Sequence, residues 1–357
     1  MLIYWGVYFL LLILSWLSLY RVDRNCKFGA YILAFIVLFI FCGFRGSGIG
    51  FDYFSYKEIF FSIKNNIFTL IEPGFALLIK CISIFNSFNI LLITVSFISI
   101  YIKFRFIWRY APLPFVGLLI FYTTLFLINE TGQIRYGLAI SLVLVFFSCI
   151  YQEKKKCWMW LLAANTIHYS SLIVWPIFFF YKYNLSNKVL IAILIVCLSF
   201  YFIDINSILL MVSNAIPIEH VKAKVITLAL DTDRYGKALG INFSLLMRIV
   251  ILLGFRLLLQ RQLVPSKWNL FFNLYFYGVI IYMVFNTNSE FAIRGSGYFK
   301  VLELIIIPYF VKAVSSIKKK NLVMILIYFY SGYSLWKIIG DKDFATDYIP
   351  YTNILFN

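Results

Sequence analysis

Residues 113–151 read LPFVGLLIFYTTLFLINETGQIRYGLAISLVLVFFSCIY. Two apolar runs, 113–128 and 134–151, flank the short polar stretch Asn129-Glu130-Thr131-Gly132-Gln133. At about 1.5 Å of rise per residue, a helix made from either run comes close to the ~30 Å thickness of a bilayer's hydrocarbon core. The stretch between them is too short for an aqueous domain, so the pair reads as two consecutive membrane helices. Working outward, the same pattern recurs at 2–20, 28–44, 88–106, 189–206, 241–259, 268–286, 296–314 and 321–338, which makes ten full spans. The 357 residues are 62% hydrophobic and only 13% charged, whereas a soluble domain is about a quarter charged. The fold class is an all-α polytopic membrane protein forming a single integral membrane domain over 1–357, with external segments 45–87, 207–240 and 339–357.

Charge placement sets the topology. The net charge of +17 would suggest nucleic acid in a soluble chain, but the basic residues lie between apolar runs, so no nucleic-acid partner is expected. Six short loops, around Arg21, Lys103, Lys154, Lys182, Arg261 and Lys318, hold 16 basic residues against the acids Asp23 and Glu153. All six fall on the cytoplasmic side only if two irregular apolar stretches make no net crossing. The stretch after Glu72-Pro73-Gly74, to about residue 85, therefore reads as an external or shallow helix. The stretch 157–181 reads as a re-entrant hairpin that turns near His168–Ser171, with both termini outside. Backbone that turns at that depth needs protein or a wet cavity around it. Without a basic n-region or a small-residue cleavage site, 2–20 reads as a retained span and not a signal peptide. The cysteines 26, 42, 81, 149, 157 and 197 form no C-x-x-C pair, so neither a disulfide framework nor a metal site is expected.

Arg45, Arg135 and Arg294 lie near the outer ends of spans, on the side that collects most of the acids. Guanidinium groups present a rigid fork suited to phosphate, and three around one cavity would accept a diphosphate. The alternative is that each snorkels to the interface or pairs with a neighbouring acid such as Glu130 or Glu290. His168, with Asn165, Ser170 and Ser171 close by in sequence, has the titration range of a general base; a hydrogen-bonded packing histidine fits the same pattern. His220, in the 207–240 loop, has no partner pattern. Asp52 begins an amphipathic stretch with Tyr53, Tyr56 and Phe60 on one face, as a capping acid would. Glu72 precedes a proline suited to the first position of a helix and could likewise serve only as its cap. Lys300 and Glu303 are spaced to neutralise each other within a span. No P-loop, H-E-x-x-H or G-x-S-x-G is present, which leaves nucleotide-driven and metalloprotease chemistry without support.

The chemistry-bearing residues follow an order: Arg45 with Gly50-x-Asp52-Tyr53-x-x-Tyr56, Glu72-Pro73-Gly74-Phe75, Arg135 with Ala139, His168-x-Ser170-Ser171, Arg294-x-x-x-Tyr298-Phe299 and Pro350-Tyr351. This ordered set resembles the EpsG family, within the wider group of Wzy-type polysaccharide polymerases of bacterial surface-glycan pathways. Each piece is short; their order along nearly the whole chain is what is specific. The intervening spans match only in hydropathy, and the 207–240 loop carries no family motif.

The resemblance implies a GT-C-like fold and an inverting glycosyltransferase in the bacterial inner membrane, with its site facing the periplasm. Such an enzyme transfers a growing glycan from undecaprenyl diphosphate to the non-reducing end of a lipid-linked repeat unit. The implied partners are the undecaprenyl-diphosphate-linked donor and acceptor, membrane lipids, a chain-length regulator and a flippase, with no cofactor. On this resemblance Arg45, Arg135 and Arg294 bind the diphosphate, and His168, Asp52 or Glu72 removes the acceptor proton. Tyr56, Tyr298 and Tyr351 contact substrate. A glycan ligase shares the donor logic. A lipid-linked oligosaccharide flippase would more naturally show paired halves or repeats. A membrane O-acyltransferase could use His168 but leaves the three arginines without a task.

Overall fold

The computed structural model describes residues 1–20, 22–217, 219–230 and 238–356. Arg21, Asp231, Asp233, Arg234 and Lys237, all read as loop charges, lie outside the described residues. Among the described residues the structure is helical, with a single isolated β-bridge between Arg45 and Asn353. The chain forms two compact units, one of residues 1–169 and 303–357, the other of residues 170–302.

The first unit contains α1 (Leu2–Leu17), α2 (Arg24–Gly43), α3 (Tyr53–Lys64), α4 (Pro73–Ile82), α5 (Phe88–Tyr110), α6 (Pro114–Phe121), α7 (Ile134–Tyr151) and α8 (Trp158–Ile167). It is completed by α15 (Glu303–Lys312), α16 (Ile317–Gly340) and α17 (Lys342–Tyr348). Start signals in the sequence explain several boundaries: the Asp23 carboxylate accepts from the N–H of Asn25 and Cys26 to cap α2, and Pro73 and Pro114 open α4 and α6. Beyond Phe121, α6 widens into a π-helix over Tyr122–Gly132. There the Thr123, Thr124 and Thr131 hydroxyls donate to carbonyls four residues back. Gly117 lets α6 approach α15, because a Cβ there would lie 2.6 Å from the Leu304 carbonyl oxygen.

The second unit holds a 3₁₀ segment, which with Tyr169 spans Tyr169–Phe179, followed by α9 (Asn187–Ser199), α10 (Ile205–Ser213), α11 (Glu219–Leu230), α12 (Phe243–Gln260), α13 (Asn269–Val284) and α14 (Ser289–Lys300). Asn242 and Asn288 cap α12 and α14 through the N–H groups of Leu245 and Phe291.

Among the described residues, six helices are long and apolar enough to cross a membrane: Arg24–Gly43, Phe88–Tyr110, Pro114–Gly132, Ile134–Tyr151, Phe243–Gln260 and Ile317–Gly340. A seventh arises if Asn187–Phe202 and Ile205–Ser213, bent by 86°, form one span. Three of the ten apolar runs fall short as single helices: α1 and α13 have 16 residues each, and 296–314 is divided between α14 and α15. The molecule is a polytopic membrane protein.

One charge assignment changes. Lys103, read as a loop residue, lies inside α5 and is fully buried. Its ammonium pairs with the equally buried Glu130 at 2.8 Å and donates to Ser99 Oγ, Ser141 Oγ and the Gly137 carbonyl. Glu130 is thus not an exposed acid, and it is Lys103, not one of the three arginines, that it neutralises. Lys103 falls within the apolar run 88–106 and yet was counted with the loop charges; α5 continues to Tyr110, and the lysine is kept inside it by a buried partner.

Candidate active site

Within the first unit, α4, α7 and α8 bring three sequence-predicted residues together at Glu72. This residue is extended at the start of α4 (φ −60°, ψ 135°), yet its side chain makes no capping hydrogen bond. The carboxylate turns to other partners. Glu72 Oε2 accepts from Arg135 Nη1 at 2.5 Å, and Oε1 lies 3.4 Å from His168 Nδ1 and 3.5 Å from the Tyr169 N–H. Glycine at position 74 makes the arrangement feasible: a Cβ there would fall 2.4 Å from Thr166 Oγ1. Thr166 sits in the last turn of α8, two residues before His168, so the contact that needs glycine also sets the imidazole beside Glu72. At His168 the backbone leaves the helix in an extended conformation (φ −155°, ψ 115°), and its ring meets Tyr136 edge-on with centroids 5.8 Å apart.

Arg135 occupies the first turn of α7, with its guanidinium 5.4 Å from the Tyr56 ring centroid and 5.9 Å from that of Phe75. One edge of its fork serves Glu72, while the buried Nε has no hydrogen-bond partner. Tyr56, buried on α3, has its phenol pushed up by burial; the Arg135 charge opposes this and Asp52 reinforces it. Asp52 starts α3 without a side-chain cap, which leaves its carboxylate available to this cluster. Asp347, unremarked as a site residue in the sequence, stands close enough to Asp52 for that charge to reinforce the upward shift that burial imposes on its own carboxyl.

Arg45 is 1% exposed and is held by carbonyl oxygens: Nε donates to Ile49 and Nη1 to Cys42, near the C-terminal end of α2, while Nη2 has no partner. The segment from Asp347 to Ile354 closes over the loop that follows. Gly50 N–H donates to the Asp347 carbonyl, Gly46 N–H to that of Thr352, and Ile354 N–H to that of Phe44. Glycine is required at 46, where a Cβ would lie 2.0 Å from Thr352 Oγ1, and at 50, where φ is +101°. Tyr351 stacks on Phe41 at 4.3 Å and donates its hydroxyl to the Phe41 carbonyl.

In the second unit, Arg294 forms an ion pair with Glu290 one turn earlier on α14, Nη2 to Oε1 at 2.5 Å. Tyr298 is buried, its hydroxyl 2.8 Å from Ser170 Oγ. Arg248, on α12, was passed over in the sequence; it is 3% exposed and stacks on Tyr282 at 4.3 Å. The signal was available as a cation, one of two with Arg256, inside the apolar run 241–259. Among the described residues no three His, Cys, Asp or Glu side chains are grouped so as to hold a metal ion.

Fold and cluster together define a polytopic membrane protein with a carboxylate shared between an imidazole and a guanidinium. The sequence profile of the EpsG family matches residues 29–353, and the chain belongs to that family, which is linked to exopolysaccharide biosynthesis. The matched range includes every candidate residue from Arg45 to Tyr351. No curated protein and no solved structure matches the chain.

Proposed function

We propose that the chain is a polysaccharide polymerase, a membrane glycosyltransferase that moves a growing glycan from undecaprenyl diphosphate onto the non-reducing end of a lipid-linked repeat unit. The observation that carries the reading is the Glu72 carboxylate, which joins His168 and Arg135 in one buried cluster. In this reading His168 is oriented by Glu72, whose Oε1 lies 3.4 Å from Nδ1, and Nε2 is the nitrogen that acts as base. His168 takes the proton of the acceptor hydroxyl as its oxygen bonds to the anomeric carbon. The bond from that carbon to the diphosphate oxygen breaks, and its electron pair leaves on undecaprenyl diphosphate. Inversion at the anomeric carbon follows from a single displacement.

Charge growing on the leaving diphosphate calls for fixed cations. Arg135 offers the fork edge that Glu72 does not occupy, Arg45 its remaining Nη2, and Arg294 is the third cation of this reading. Asp52, Tyr56, Tyr298 and Tyr351 contact sugar. The reading places the enzyme in the bacterial inner membrane with this site on the outer face. The shorter apolar helices complete ten crossings, 157–181 is re-entrant, and the architecture is GT-C-like. Family membership and the acid–base pair support this assignment.

The test is a gel profile of the surface glycan from a host lacking the gene. Collapse of the ladder to a core bearing one repeat unit is the expected result. An unchanged ladder, or loss of every attached unit, overturns the reading.

A further inference from the structure

Arg248 differs from the other arginines of its kind. Arg135 and Arg294 face carboxylates, Arg45 faces two carbonyl oxygens, and Arg256 donates to Asn187 Oδ1 and the Leu185 carbonyl, each at 2.8 Å. No carboxylate among the described residues lies within ion-pair distance of Arg248, and its buried Nε has no hydrogen-bond partner. What it does have is a platform. Its guanidinium lies 4.3 Å from the centroid of Tyr282, whose hydroxyl donates to Asn242 Oδ1 at 3.1 Å. The same oxygen caps α12 through the Leu245 N–H, so ring, cap and arginine are fixed to one another. A π-face steadies a cation but neutralises none of its charge.

We infer that Arg248 is the protein half of a phosphate-binding site, and that the phosphate oxyanion of a lipid seats against its guanidinium on the side of the unpartnered Nε. The Arg248 backbone lies five residues beyond Phe243, about 7.5 Å along the axis from the start of a membrane-spanning helix; helical side chains lean towards the N-terminus, and its platform Tyr282 bonds the N-cap Asn242, so the guanidinium is within reach of the headgroups at that end. Lipid phosphates are the abundant anions there, and the guanidinium fork matches them in geometry. An intramembrane charge with no partner among the described residues is costly to keep and marks a site. The inference deepens the proposed function, since undecaprenyl diphosphate would be the relevant lipid, but its test does not depend on polymerisation.

Purified full-length protein in a neutral detergent is titrated with undecaprenyl diphosphate, phosphatidylglycerol and undecaprenol, with binding read by native mass spectrometry and stability by thermal unfolding. Arg248→Gln should leave the ligand-free Tm unchanged or higher, lower undecaprenyl diphosphate affinity at least tenfold and spare undecaprenol. A loss confined to undecaprenyl diphosphate supports the site and assigns it to the polyprenyl lipid. A loss shared with phosphatidylglycerol supports the site and assigns it to bulk headgroups. Wild-type affinity for both phosphate lipids overturns it. Should the glutamine variant not fold, Arg248→Lys, which keeps the charge but loses the fork, should still bind more weakly; wild-type affinity in that variant overturns the inference equally. A host ladder unchanged by deletion would remove the polymerase reading without touching this result.

Discussion

Replacing Lys103 with methionine removes the cation that ties α5 to α7 and to the π-helix beside it. At 2.8 Å and an effective dielectric of about 20, the Lys103–Glu130 attraction is about 6 kcal/mol before the cost of drying both ions. Breaking one side of such a buried pair typically costs about 3–5 kcal/mol, because the surviving charge has no answer. Lys103→Met should fall in that range. Glu130→Gln should cost less, about 1–3 kcal/mol, because the ammonium keeps Ser99, Ser141 and the Gly137 carbonyl as acceptors. The double variant leaves neither ion stranded, and Ser99 and Ser141 already stand 2.9 Å apart to bond each other. It should therefore lose less than the two single losses combined, with a coupling of about 2–3 kcal/mol. The assay is a double-mutant cycle by denaturant unfolding in detergent micelles. Losses that add to within about 0.5 kcal/mol would refute the pairing argument.

Four further outcomes follow from the geometry. His168→Ala should cut polymerised glycan by about 10²–10⁴-fold at normal protein level, with Glu72→Gln in the same direction; near-normal chain length in His168→Ala moves the base to a carboxylate. Arg294→Ala should abolish polymerisation and Arg294→Lys should rescue it poorly, so an unchanged ladder removes Arg294 from the site. Gly74→Ala should destabilise by about 1–3 kcal/mol and reduce activity, as its Cβ forces α4 away from Thr166 and Glu72 from His168; a fully active, equally stable variant contradicts that contact. Asp347 is raised by burial and by Asp52, so its folded carboxyl holds its proton to higher pH than the unfolded one. Its stabilising contribution is present below the unfolded value of about 3.9 and is lost as pH rises through the folded value. Asp347→Asn should therefore raise Tm at neutral pH and show no gain below about pH 3.9, and an equal gain at both would refute the shift.

Hydropathy alone made the long apolar helices legible, because a bilayer demands continuous apolar length whatever the tertiary contacts, whereas α10, α11 and α17 lie largely in segments read only as external. What it could not show was how each charge is partnered. Lys103 looked like a loop residue, since its acid is 27 residues away in sequence and joins it only through packing. Glu72 and Asp52 stood at helix starts where acids usually cap, and neither caps. Their position was visible from local spacing, whereas their partners depend on which helices touch. The glycine of Glu72-Pro73-Gly74 is visible only as part of a helix start; its role is the close approach of α4 to α8, a distance that no local pattern encodes. The π-helix also left no periodic trace, for its wider turn follows from the packing and back-bonding of threonines in an otherwise ordinary apolar run.

The pairing of the loop at 44–50 with residues 347–354 bears on biogenesis. A membrane protein enters the bilayer from its N-terminal side as it is made. Arg45 and its glycines therefore leave the ribosome some three hundred residues before the segment that covers them, and that loop stays open while all the later helices insert. Its geometry is completed only when Asp347 through Ile354 arrive, so inserting the helices and closing this loop are separate events in the life of one chain. A stop codon or bulky fusion just ahead of Asp347 would spare the inserted helices and leave Arg45 uncovered.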